Sequence, residues 1–299
     1  ISQGASGYIN IIDGENTTHD PRNYSGDMGD YGGLAIGDTT NDDIPDFVWA
    51  NYNNNTYKVV IQINQSSGKF YELGRFKASF TYRVAICDSD EDGYDEIIVP
   101  GYTDDMVFIF GYNGTGYSLE YTLDIPDGIG AKVEVDNQFS VACGDVNSYG
   151  KMEIITGTLN DEGINTWSYA GNGKYIKESW YDEYISQTSG IIGDVDDNGL
   201  VNYVFSARDT PRRFEYMDDG IIRYFNDTSL DVGTYIGEGN PLDWDQDNVT
   251  ELPIGENSGT FRVVRFGESS NTYVTEKSSL DIGSYSFNPQ FGDIDGDGA

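Results

Sequence analysis

The chain has 299 residues, enough for one large β domain or two smaller ones, and its 51 Asp and Glu against 17 Lys and Arg give a net charge of −34. That charge excludes the basic surface that nucleic acid requires and suits cation binding, a salty medium or both. The 23 Tyr, 14 Phe and 4 Trp carry enough burial area to exclude disorder, and no apolar run approaches the roughly 20 residues of a membrane span.

Residues 1–32 hold one strand candidate, "GYINIID", and a turn-rich stretch, "GENTTHDPRNYSGDMGD". They form an N-terminal segment that could complete a blade of the array that follows. The opening "ISQGASGYINII" lacks a basic start and an apolar core. The expectation is that a signal peptide was removed or that these residues begin inside a longer protein. From residue 33 to 299 a pattern recurs, with repeats starting near 33, 82, 138, 188, 237 and 285, the last cut short at Ala299. Their leading acids are Asp38, Asp88, Asp145, Asp194, Asp243 and Asp293, so the period is close to 50 residues. A period of that size points to a propeller.

Each period runs in the same order. An apolar segment ("YRVAI") enters an acidic loop ("CDSDEDGYDE"), and a second leaves it ("EIIVPG"). An alternating third segment ("MVFIFGY"), a Gly or Asn turn ("NGTG") and a fourth segment ("YSLEYTL") complete the period. Four short strands per period make one blade, and helical periodicity is absent. The expected fold is therefore all-β: a β-propeller of six or seven four-stranded blades with ion-binding hairpin loops. The longest interval contains "DIPDGIGAKVEVDN", placed on a loop.

Counted from its first Asp, each acidic loop offers oxygen ligands at positions 1, 3, 5 and 9, with a backbone carbonyl at position 7. The sets are Asp38, Thr40, Asp42, Ile44 and Asp46; Asp88, Asp90, Asp92, Tyr94 and Glu96; and Asp145, Asn147 and Glu153, with Tyr149 at position 5. They continue with Asp194, Asp196, Asn198, Leu200 and Asn202; Asp243, Asp245, Asp247, Val249 and Glu251; and Asp293, Asp295 and Asp297. A 1, 3, 5 spacing turns alternate side chains toward one ion, and oxygen-only ligands on a flexible loop favour Ca²⁺ over Mg²⁺ or Zn²⁺. Position 6 is Asp43, Gly93, Gly150, Gly199, Asn248 or Gly298, the residue types that take a left-handed turn. By carboxylate count, loops 88–96 and 243–251 should bind best, and the loop with Tyr149 at position 5 is the doubtful one.

The pattern Asp-x-Asp-x-Asp-Gly-x-x-Asp/Glu, followed by an apolar strand and led by Gly-Asp, resembles the FG-GAP (VCBS-like) repeat of integrin-α-type propellers. The resemblance covers about residues 33–299. It departs from the family wording where "VPGY" and "ITGT" stand in place of "GAP". It implies Ca²⁺ in the hairpin loops and extracellular or cell-surface work in adhesion or ligand binding.

Other motifs add less. Sequons occur at Asn16, Asn23, Asn54, Asn64, Asn113, Asn226 and Asn248, of which Asn64 and Asn113 share one hairpin position and are the better glycan candidates. Cys87 and Cys143 precede adjacent acidic loops one residue out of phase, so two buried free thiols are expected rather than a disulfide. The one His, His19, excludes a His-based metal hydrolase, and no nucleophile elbow is present. Arg212 and Arg213 are expected to make local ion pairs. The leading expectation is a non-enzymatic extracellular Ca²⁺-binding propeller for adhesion, ligand binding or surface assembly. Its partner would be a protein, a glycan or a second copy, meeting loops such as 124–137 and 206–219. A polysaccharide lyase or glycosidase on the same scaffold is one alternative, and a structural subunit of a glycosylated filament or coat is another.

Overall fold

The computed structural model describes residues 2–3, 8–12, 19–23, 33–50, 57–64, 69–78, 83–101, 106–124, 138–158, 164–181, 187–207, 211–216, 222–226, 234–236, 249–256, 260–267 and 272–281. They form 23 strands in six antiparallel sheets. The first sheet contains β1 (Ser2–Gln3), β2 (Tyr8–Ile12) and β3 (His19–Asn23). Blade 1 follows with β4 (Leu34–Gly37), β5 (Asp46–Ala50), β6 (Tyr57–Asn64) and β7 (Lys69–Lys77). Blade 2 has β8 (Ala85–Cys87), β9 (Glu96–Pro100), β10 (Met106–Tyr112) and β11 (Tyr117–Asp124). Blade 3 has β12 (Gln138–Gly144), β13 (Glu153–Thr158), β14 (Ile164–Tyr169) and β15 (Tyr175–Tyr181). Blade 4 has β16 (Gln187–Gly193), β17 (Asn202–Ala207), β18 (Pro211–Tyr216) and β19 (Ile222–Asn226). Blade 5 has β20 (Thr234–Ile236), β21 (Glu251–Glu256), β22 (Thr260–Gly267) and β23 (Thr272–Asp281).

The fold is a β-propeller, and the described residues form five four-stranded blades where six or seven were expected. Among the described residues the N-terminal strands pair with one another into a three-stranded sheet. Residues 282–299, with the sixth acidic loop, lie outside the described residues.

Burial follows strand position. The second strands β5 and β9 are buried along their whole length, and their sequences are accordingly near-continuous apolar runs; blade 2, which holds β9, packs between blades 1 and 3. The outer strand β7 alternates and is largely exposed. First strands of successive blades pack side by side, β4 on β8, β8 on β12, β12 on β16 and β16 on β20. The apolar clusters lie between blades: Val48 and Val60 of blade 1 meet Ile97 and Phe110 of blade 2, and Ile98 and Ile109 of blade 2 meet Ile154 and Trp167 of blade 3. Each such aliphatic side chain contributes roughly 1.5–3 kcal/mol when fully buried.

This face-to-face stacking corrects the expectation for the cysteines. Cys87 and Cys143 form a disulfide with a Cα–Cα distance of 6.2 Å. The residue just before the leading Asp looks toward the next blade, and the residue two before the next blade's leading Asp looks back. Being one residue out of phase is thus the condition for the two to meet. The same slot is filled by Gly37 against Ile86 and by Gly144 against Ile192, where a Cβ on either glycine would overlap the isoleucine. Between blades 2 and 3 a covalent bond replaces that Gly–Ile contact.

Candidate cation-binding loops

Four acidic loops are described in full, 38–46, 88–96, 145–153 and 194–202, each joining the first and second strands of its blade. Asp243, Asp245, Asp247 and Asn248 lie outside the described residues, as do Asp293, Asp295 and Asp297. Of the fifth loop, Val249 is half-buried and Glu251 is buried at the start of β21. The loop segment "DIPDGIGAKVEVDN" lies almost wholly outside the described residues.

The leading Asp shapes every loop. Asp88 Oδ1 accepts the Asp92 N–H at 3.1 Å, and Oδ2 accepts the Gly93 N–H at 3.1 Å. Asp38, Asp145 and Asp194 repeat this pair of bonds to positions 5 and 6. Closing the turn puts position 6 in the left-handed region, at φ 62° for Asp43, 91° for Gly93, 81° for Gly150 and 85° for Gly199. Position 4 is left-handed too, at Asn41, Glu91, Ser148 and Asp197. Its varied residue types gave no sequence signal, and Asn and Asp are the non-glycine residues that bear it best.

In loop 88–96 the carboxylates converge: Asp88, Asp90, Asp92 and Glu96 each offer an oxygen within 4.8 Å of the others'. Among the described residues no Lys, Arg or His pairs with any of the four. Asp90 Oδ2 accepts the Tyr121 hydroxyl at 3.2 Å, whereas Asp90 Oδ1 is buried with no hydrogen-bond partner. Burial pushes the Glu96 carboxyl up to about 8, and burial followed by the Asp92 charge raises Asp90. A fifth acid, which the loop spacing did not reveal, stands nearby: the Glu120 carboxyl of β11 is raised by burial and then by Asp90 and Asp92.

The other described loops bring amide, hydroxyl or guanidinium donors to their acids, although Asp196 Oδ1 and Thr40 Oγ1 are also buried without a hydrogen bond. In loop 38–46, Gln62 Nε2 on β6 lies 3.1 Å from both Asp42 oxygens, 3.1 Å from Asp46 Oδ1 and 3.3 Å from the Ile44 carbonyl. In loop 145–153, Asn147 Nδ2 donates to Glu153 Oε1 at 2.8 Å and Ser168 Oγ donates to the same oxygen at 3.3 Å. In loop 194–202, Arg213 forms a buried ion pair with Asp196, and Asn202 Oδ1 accepts the Val195 N–H at 3.2 Å. Burial raises Asp46 to about 6 and Glu153 to about 7.

Loops of successive blades also touch. The Asp38 N–H donates to Asp95 Oδ2 at 3.0 Å, Lys151 pairs with Glu91 at 2.6 Å, and Thr250 donates to Asp197 at 3.3 Å. Position 2 adds an interblade bridge that sequence reading missed. Ser89 Oγ donates to Glu96 Oε2 at 2.9 Å, so the Tyr175 hydroxyl of blade 3, 2.8 Å away, is the donor to Ser89. Thr39 links Asp46 to Tyr117 of blade 2 in the same way. Tyr175→Phe should lower the unfolding free energy by about 1 kcal/mol, read by urea denaturation, because Ser89 loses its donor at a buried junction. An unchanged midpoint and slope would show that the bridge adds nothing.

No family model and no curated protein matches this chain. Solved structures do. A protein from Lactobacillus plantarum superposes with a TM-score of 0.59 at 11% identity, covering 91% of this chain and 77% of that one. A putative 6-phosphogluconolactonase from Bacteroides uniformis gives 0.60 at 13% identity, covering 97% and 82%. The periplasmic gluconolactonase of Pseudomonas aeruginosa gives 0.52 at 11% identity, covering 93% of each chain. These likenesses carry the propeller fold. They also correct the expectation of a non-enzymatic adhesion or assembly module, and its lyase, glycosidase and filament alternatives. Two of these three folds are named as lactonases, and none is named as an adhesion, lyase or coat protein. Among the described residues no helix is long and apolar enough to cross a membrane.

Proposed function

We propose that this chain is an exported propeller that holds a divalent cation, Ca²⁺ in the first place, in the loop of blade 2. The observation that carries the reading is the convergence of Asp88, Asp90, Asp92 and Glu96 with one buried Asp90 oxygen left without a hydrogen bond. Four carboxylates this close repel one another, and a cation offsets both the repulsion and the burial. The ligands are all oxygen on a short loop, the chemistry of Ca²⁺, and the resemblance of the loops to the FG-GAP repeat supports the same ion. The disulfide supports an oxidising compartment, and the periplasmic neighbour agrees with export. Asn113, exposed on the tip between β10 and β11, would be open to a glycan there. Calcium titration by calorimetry tests the reading: Asp90→Ala should bind one ion fewer than the native chain. Equal ion counts would remove it.

A second reading concerns activity. The names of two neighbours favour hydrolysis of a sugar lactone, in which water opens the ring ester to the acid. Proton release from gluconolactone and 6-phosphogluconolactone, with and without EGTA, tests it; no rate above spontaneous opening would dismiss it.

A further inference from the structure

Every blade places one residue of its third strand directly across from loop position 9. The strand register pairs Asp46 with Gln62, Glu153 with Ser168, Asn202 with Glu215 and Glu251 with Arg265. In blade 2 the facing residue is Gly111, one step beyond the Ile97–Phe110 pair.

These five residues differ in what they bring to position 9. Gln62 is wholly buried, and its amide touches loop positions 5, 7 and 9 at once. Those are three of the five positions whose oxygens would surround an ion. Its orientation is set from the other end, where Tyr71 donates its hydroxyl to Gln62 Oε1. Arg265 brings a permanent guanidinium charge to the position facing Glu251. Gly111 brings nothing. A Cβ there would fall on the Glu120 carboxylate, which lies close enough to feel the charges of Asp90 and Asp92. Blade 2 thus replaces a donor by empty reach and adds an acid.

We propose that the residue facing loop position 9 selects which blades take a cation: Gln62 stands in for the ion in blade 1, and Gly111 admits it in blade 2. This rests on the cation reading above and deepens it.

A reciprocal exchange tests it on the full chain, with bound Ca²⁺ counted by equilibrium dialysis. Gln62→Gly should gain one ion, and adding Asp42→Asn to that variant should lose it again. Gly111→Gln should lose one ion while melting in EGTA as the native chain does. Should Gln62→Gly fail to fold, Gln62→Ala removes the same donor and should gain the same ion. No gain on removing Gln62, or an unchanged count in folded Gly111→Gln, would overturn the proposal. The two readings fail separately. If Asp90→Ala leaves the native count unchanged, the assignment of the blade 2 ion fails, while the response to removing Gln62 still decides whether that residue stands in for an ion.

Discussion

Replacing both cysteines, Cys87→Ala with Cys143→Ala, is expected to lower the unfolding free energy by about 4 kcal/mol. The disulfide closes a separation of 56 residues, and a cross-link of that span removes roughly this much loop entropy from the unfolded chain. For a chain of this size the melting temperature should fall on the order of 10 °C. Both sulfurs are buried between blades 2 and 3, so reductant should act only on chains that have opened there. The native protein refolded under reductant should melt with the double variant, and the variant should not respond to reductant. A native melt that is the same after reduction and refolding would remove the bond from the stability of the fold.

Stripping the ion is expected to destabilise the protein in a pH-dependent way. An ion at a hundredfold excess over its Kd adds about 2.7 kcal/mol per site that EGTA takes away. The pH dependence follows from Glu96, whose carboxyl stands at about 8 in the folded, calcium-free chain against 4.5 when unfolded. Below pH 4.5 the group is protonated in both states and costs nothing. From pH 4.5 to 8 the unfolded chain releases the proton and the folded chain keeps it, so stability is lost as pH rises. The limit of that loss is roughly 5 kcal/mol at about 1.4 kcal/mol per pH unit of displacement. Bound Ca²⁺ holds Glu96 charged and removes the penalty. The gap between melts with Ca²⁺ and with EGTA should therefore widen from pH 5 to pH 8, and Glu96→Gln should flatten it. A gap that is constant or narrows over this range would contradict the assignment of Glu96 to the ion.

The loops were legible in the sequence because their geometry is local. The leading Asp reaches backbone N–H groups only four and five residues ahead, and glycine at position 6 answers a turn inside the same nine residues. The left-handed residue at position 4 was not legible, since its constraint comes from the closed turn and not from its residue type. The strands were legible for a related reason. A second strand buried on both faces must be apolar throughout, as "EIIVP" is, while an outer strand such as "KFYELGRFK" can alternate.

By itself, the sequence determined an all-β chain of four-stranded blades with an acidic loop at each first turn, because strand period, turn residues and Asp spacing act over a few residues. Tertiary structure alone decided the rest. That the N-terminal strands β1, β2 and β3 pair with one another into a sheet of their own rested on a choice among partners along the whole chain. The disulfide rested on the stacking of opposite faces, which turns a one-residue phase difference into a contact. Gln62 reaches the acids of its loop from up to 20 residues away along the chain, through the register of β5 with β6. What stands across the sheet from an acid sets how much charge is left for an ion, and only the folded pairing of strands brings that residue there.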